Sequence, residues 1–218
     1  MNPAPNKQPA SAVSASAAYA EAFIPESDDA RQARAASAEL GIQPVSPGTA
    51  TLLRFLAELI GARAVVEVGT GTGVSGLALL EGMVADGILT SIDIEPQHQA
   101  AARTVFAGAG IAPRRARLIA GEALQVLPKL SDGVYDLVLI DGDPLEYVEY
   151  VEAALRLLRP GGLLAIHRAL ADGKVADAAN TDDDTVIIRE ALTAVADSED
   201  LTPVLLPVGQ GLLVARRA

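Results

Sequence analysis

The sequence predicts an α/β protein of seven strands, a mostly parallel sheet covered by helices on both faces and closed by an antiparallel C-terminal hairpin. Three observations predict it. From residue 64 onward, short and wholly apolar runs alternate with helical stretches, the pattern of parallel strands buried on both faces. The first of those runs leads straight into Gly69-Thr-Gly71-Thr-Gly73, which in turn precedes a helical stretch. The last two runs, residues 203–208 and 212–216, are joined by Gly-Gln-Gly, the spacing of a hairpin.

In chain order, residues 1–14 are mainly Pro, Ala, Ser and Asn and read as a disordered tail. Helical material follows over residues 15–40. It is interrupted at Ile24-Pro25, because the residue before a proline is pushed out of the helical region. Ser27-Asp28-Asp29 restarts it with an N-cap and first-turn acids, and Gly41 ends it. Ser46-Pro47-Gly48 reads as a turn, after which Leu52, Leu53, Leu56, Leu59 and Ile60 share the face of a helix over 49–60. Strands are expected at 64–68, 88–92, 116–120, 137–140 and 163–166, the last after a turn at Arg159-Pro-Gly-Gly162. The intervening helices are expected at 75–85, 96–109, 123–130 and 147–158. The chain reads as one domain, residues 15–218, with N-terminal helices (15–60) preceding an α/β core (64–218).

Composition narrows the function. The formal charge is 17 − 28 = −11, and only 3% of residues are aromatic with no Trp. An acidic chain is repelled by phosphate backbones and anionic lipid and offers no base-stacking surface, so neither nucleic acid nor membrane is expected as a partner. Arg114-Arg115-Ala-Arg117 is read as a solvated loop. With no Cys there is no disulfide framework, thiolate metal site or cysteine nucleophile. No apolar run reaches the roughly 18 residues of a membrane span, and the N-terminus lacks a signal-peptide pattern. A cytoplasmic protein with a small-molecule substrate is expected.

The glycine run carries the chemistry. Glycines let the backbone turn sharply and let a ligand approach the main chain, while the free N–H groups of the next helix favour a carboxylate or phosphate. Gly71-Thr-Gly73-Val-Ser-Gly76 also satisfies the dinucleotide pattern, so a nicotinamide cofactor is an alternative. Three features favour S-adenosylmethionine. Glu67 lies within the first strand, two residues before the first glycine, where a buried carboxylate is costly without a ligand or a cationic partner. An acidic site suits a sulfonium and an amino group better than a pyrophosphate. The terminal hairpin departs from an all-parallel dinucleotide sheet. Asp93 closes the second strand, where a carboxylate takes ribose hydroxyls, and Gly121-Glu-Ala123 follows the third as an adenine contact.

Glu67-x-Gly69-x-Gly71-x-Gly73, Asp93 and Asp136-Leu-Val-Leu-Ile-Asp141-Gly-Asp143 resemble the class I methyltransferases. More narrowly they are similar to the small O-methyltransferase family of the catechol and caffeoyl-coenzyme A enzymes and their bacterial relatives. The resemblance spans residues 40–218, with Tyr147 and Tyr150, Arg159-Pro-Gly-Gly162, Gly173-Lys-Val-Ala-Asp177 and Ile188-Arg189-Glu190. It implies a Rossmann-like fold and a homodimer, with the N-terminal helices available for pairing. It also implies a cofactor site formed by Val45, Glu67, Gly69, Thr70, Gly71, Ser75, Asp93, Ile94, Ala123, Asp141 and Asp143, with Asp141 and Tyr147 meeting the substrate.

The same resemblance exposes a departure. The family holds two substrate oxygens on a divalent metal bound by an Asp after the fourth strand and an Asp-Asn pair after the fifth, with a Lys three residues beyond the first Asp. Here Asp141 is kept, His167-Arg168 stands for the pair, and Pro144 for the Lys. A guanidinium has no lone pair to offer, so no metal is expected. One reading makes Arg168 the fixed cation that orients an anionic or phenolate substrate, with His167 as base and Asp141 orienting one of them. A second is a cofactor-binding protein with lost or weak catalysis, and a third is a buried Arg168 ion pair with Asp141 or Asp143. A nicotinamide oxidoreductase lacks a recognisable hydride-transfer constellation. His98 reads as a surface residue, Asp182-Asp-Asp184 as an acidic helix start, and Glu146 and Glu149 as exposed helix charges near the substrate mouth.

Overall fold

The computed structural model describes residues 10–218, so the first nine residues of the expected tail lie outside the described residues. The described part begins with three helices, α1 (Ala10–Ala22), α2 (Asp28–Glu39) and α3 (Pro47–Leu59). Residues 10–14, expected as tail, are the first turn and more of α1. Alternation then sets in: β1 (Ala64–Val68), α4 (Val74–Gly82), β2 (Ile88–Asp93), α5 (Pro96–Gly108), β3 (Ala116–Ala120), α6 (Ala123–Val126) and β4 (Tyr135–Ile140). It continues with α7 (Tyr147–Leu157), β5 (Leu158–His167), α8 (Asp183–Asp197), β6 (Leu201–Leu206) and β7 (Leu212–Arg217).

The strands form one sheet in the order β3-β2-β1-β4-β5-β7-β6. Neighbours from β3 to β5 run parallel, and β7 is antiparallel to both β5 and β6. This is the mostly parallel Rossmann-like sheet with its reversed C-terminal strand that the sequence predicts. Two cores follow from the alternation of side chains. Val66, Val68, Val138 and Ile140 face α7 and α8, whereas Val65, Leu137 and Leu139 face α3, α4 and α5. The chain order reverses between β1 and β4, and at such a switch point the loops leaving the two strand ends splay apart and leave a crevice. The loops after β1 and β4 carry Gly69 and Asp141.

Boundaries differ from expectation where local chemistry intervenes. Ser46-Pro47-Gly48 is a helix start rather than a free turn. The Ser46 side chain accepts from Thr49 N at 3.1 Å, and Pro47 occupies the first helical position, where its missing N–H does no harm. Arg159-Pro-Gly-Gly162 lies inside β5, which slips register against β4 between Tyr135 and Leu137. Asp136 fixes this end of the sheet, accepting from Arg63 N (2.7 Å), Ala64 N (2.8 Å) and Arg159 Nε (2.6 Å). Arg115 is turned inward onto the carbonyls of Leu80, Val84 and Gly87. Among the described residues no helix is long and apolar enough to cross a membrane.

Candidate active site

A cavity of about 400 Å³ opens over the carboxyl ends of β1, β2 and β4. Its floor is the glycine loop, and the approach of backbone to backbone there explains the glycines. Gly69 has φ +94°, and a Cβ on it would lie 2.3 Å from the Asp141 carbonyl oxygen. Gly71 has φ +49° and its Cβ position is open, with only Ile42 Cγ2 near, at 3.9 Å. The Gly71 N–H donates to Asp93 Oδ2 (2.8 Å), and Glu95 N–H donates to Asp93 Oδ1 (2.8 Å). That carboxylate is therefore aimed along the cavity wall by two main-chain donors.

Most of the residues expected to bind cofactor line this cavity: Val45, Gly69, Thr70, Gly71, Ser75, Asp93, Ile94, Ala123, Asp141 and Asp143. Glu67 does not. Its side chain is 0% exposed beneath the loop, accepting from Ser75 Oγ at 2.6 Å and from Ser91 Oγ, which in turn meets Thr70 Oγ1 at 2.6 Å. Burial pushes its carboxyl up to about 8 against the two serine hydrogen bonds. Glu67 thus braces the loop and the first turn of α4 from behind.

At the other end of the cavity, Asp141, His167 and Arg168 come together, as expected, but not in the expected order. His167 is 1% exposed and is absent from the cavity wall. Its Nδ1 lies 2.8 Å from Asp141 Oδ1, and its buried Nε2 has no partner. A hydrogen on Nδ1 satisfies the pair and leaves no buried donor unpaired, so that tautomer is favoured. Arg168 lines the cavity with φ +57°. Its Nε stands 3.4 Å from Asp141 Oδ1, and its Nη2 donates to the carbonyls of Asp141 (3.3 Å) and Gly142. Burial opposes its charge, but Tyr147, Asp141 and Asp143 outweigh that and hold its pKa above the ordinary value. Among the described residues no three His, Asp or Glu side chains are grouped to hold a metal. With a guanidinium against Asp141, these residues do not fit a divalent ion.

Tyr147, expected to meet substrate, is 0% exposed and donates its hydroxyl to the His167 carbonyl at 3.1 Å, off the cavity wall. The wall is reached instead by Tyr150, whose hydroxyl donates to Glu146, also a lining residue. His98 is not a plain surface residue either. It lines the cavity, with Nδ1 3.2 Å from Asp93 Oδ1. Its place in the first turn of a helix that starts just past the second strand was the available signal. Residues 42–44, Glu95 and Glu122 also line the cavity. The three Asp182–184 acids head α8, and Lys174 Nζ meets Asp182 at 3.0 Å.

A doubly covered parallel sheet with a reversed C-terminal strand, and an acid-walled cavity over a glycine loop at its switch point, define an α/β enzyme built on a nucleoside-containing cofactor. The family model described as O-methyltransferase matches residues 18–218, and the chain belongs to that family. A protein of Mycobacterium sp. (strain JLS), whose name assigns it provisionally to the O-methyltransferases, is 50% identical over 213 residues, covering 98% of this chain and 97% of its own. A crystal structure of a Corynebacterium glutamicum protein is similar with a TM-score of 0.88 at 32% identity, covering 95% of this chain and 97% of its own. The O-methyltransferase TomG from Streptomyces achromogenes, involved in tomaymycin synthesis and solved with S-adenosylmethionine, gives a TM-score of 0.84 at 27% identity over 94% and 96% of the two chains.

Proposed function

We propose that this chain methylates a hydroxyl of a small phenol- or catechol-like compound from S-adenosylmethionine, without a divalent metal. The observation that carries the second half is the Asp141 carboxylate, bounded by His167 Nδ1 and Arg168 Nε on one oxygen and open to the cavity. The donor supplies an electrophilic methyl carbon on a sulfonium. Asp93, fixed by Gly71 and Glu95, takes the ribose hydroxyls, while Val45, Thr70, Ser75, Ile94, Ala123 and Asp143 supply the rest of the donor wall. Asp141 meets the acceptor hydroxyl and takes its proton as that oxygen attacks the methyl carbon and the carbon–sulfur bond breaks, leaving a neutral thioether.

His167 acts through Asp141, holding its carboxylate in orientation from behind. Arg168 supplies fixed positive charge beside the developing phenolate. Tyr150 and Glu146, rather than Tyr147, face the acceptor. The exposed apolar side chains Tyr19 of α1, Phe23 just beyond it, and Phe55 and Leu59 of α3 support homodimer formation through the N-terminal helices.

The test is methyl transfer from methyl-labelled S-adenosylmethionine to a panel of phenols and catechols, in EDTA and in magnesium. Labelled ether is expected at equal rates in both. Product that appears only with the divalent ion overturns the metal-free reading.

A further inference from the structure

The wall of the cavity facing the glycine loop is the segment 42–45, which lies between α2 and α3 and belongs to neither strand nor helix. It hangs from α2. The Ile42 N–H donates to the Ser37 carbonyl at 2.9 Å. Arg34 Nη1 donates to the Val45 carbonyl at 2.6 Å, and Arg34 Nε is fixed by Glu26 Oε1 at 2.6 Å. Both members of that ion pair are largely shielded, with side chains 22% and 19% exposed, so the contact is stronger than a surface bridge. The same helix also grips the glycine loop: Thr72 Oγ1 donates to the Ala33 carbonyl at 2.8 Å and meets Ser37 Oγ. Neighbouring residues of α2 therefore hold both the 42–45 segment and the glycine loop that line one cavity.

We propose that Arg34 is a positioning residue for methyl-donor binding, which it serves through the Val45 carbonyl. The inference rests on the reading that this cavity takes S-adenosylmethionine. A wall segment without strand or helix pairing samples many conformations, and a ligand that orders it binds more weakly by that amount. The Arg34 bridge fixes the segment before the donor arrives. It touches a backbone carbonyl, so the side chain at residue 45 does not carry the effect. Arg34 itself is absent from the cavity wall.

The test is calorimetric titration of S-adenosylmethionine into the full chain, with thermal unfolding recorded beside it. Arg34→Gln is expected to weaken donor binding about tenfold. Arg34→Lys, which keeps a cation able to reach the carbonyl, recovers part of that loss. Arg54→Gln removes the exposed Arg54–Glu81 pair, 3.3 Å long between α3 and α4, and is expected to leave donor affinity unchanged. Glu26→Gln keeps Arg34 but releases its guanidinium, with an expected loss of about threefold, and it carries the test if Arg34→Gln fails to fold. Wild-type affinity in folded Arg34→Gln, or in Glu26→Gln where that variant carries the test, overturns the proposal. An equal loss in Arg54→Gln overturns it too, since the effect is then general stability. If the wild-type chain binds no donor, the reading of the cavity falls with it; if only the Arg34 variants fail to differ, that reading stands.

Discussion

Glu67 and Asp141 lie at the ends of adjacent strands, and their surroundings give two carboxylates opposite tasks. Glu67 is sealed under the loop with only serine hydroxyls for company, and burial raises its pKa to about 8. A carboxyl raised in the folded state favours the fold while protonated, and that contribution is lost as pH climbs from the unfolded value near 4.5 through 8. Glu67→Gln mimics the protonated form at every pH. Its melting temperature relative to wild type is expected to rise between pH 5 and 8 and level off above, as followed by thermal unfolding of the donor-free protein. A difference that is flat with pH contradicts the assignment. Asp141 instead opens to the cavity, with His167 and Arg168 against one of its oxygens, so one carboxylate is buried support and the other faces the ligand space. The sequence named all three of these residues. It did not show that Asp141 stands in front of His167, because which of two neighbours reaches a cavity depends on the twist at the ends of β4 and β5.

The element that organises the site is the loop from β1 into α4. Its glycines do different work, and substitution should separate them. Gly69→Ala drives a Cβ to 2.3 Å from the Asp141 carbonyl oxygen, in a backbone conformation alanine avoids, so the β1 and β4 loops must part. This variant is expected to lose several kcal/mol of stability, together with the site. Gly71→Ala meets no close atom and costs about 1 kcal/mol of left-handed strain. Chemical denaturation of the two variants decides the point, and equal losses contradict it. The strands, the loop and the Asp93 and Asp141 strand ends were legible because apolar runs and glycines are local signals. His98, Tyr150, Glu146 and residues 42–44 were not singled out as cavity residues, since they gain meaning only when α5, α7 and the α2–α3 connection fold over the sheet. The first turn of α3 was misread as a free turn because Ser-Pro-Gly serves either purpose, and here Ser46 caps a helix.

At the scale of the whole molecule, charge and topology agree. The cavity wall carries Asp93, Glu95, Glu122, Asp141, Asp143 and Glu146 against the single guanidinium of Arg168, within a chain of net charge −11. Such a field draws in a donor that carries a sulfonium and repels polyanionic acceptors. The sheet places this field where its strand order reverses, and α2 closes it from outside the α/β core. Asp93, held by two main-chain donors at this switch point, is the group proposed to recognise the donor. Titration of S-adenosylmethionine into wild type and Asp93→Ala tests it most directly. Saturable binding by wild type, at least about tenfold weaker in a folded Asp93→Ala, is the predicted result. Equal affinity in the two proteins, or no binding by wild type, contradicts it.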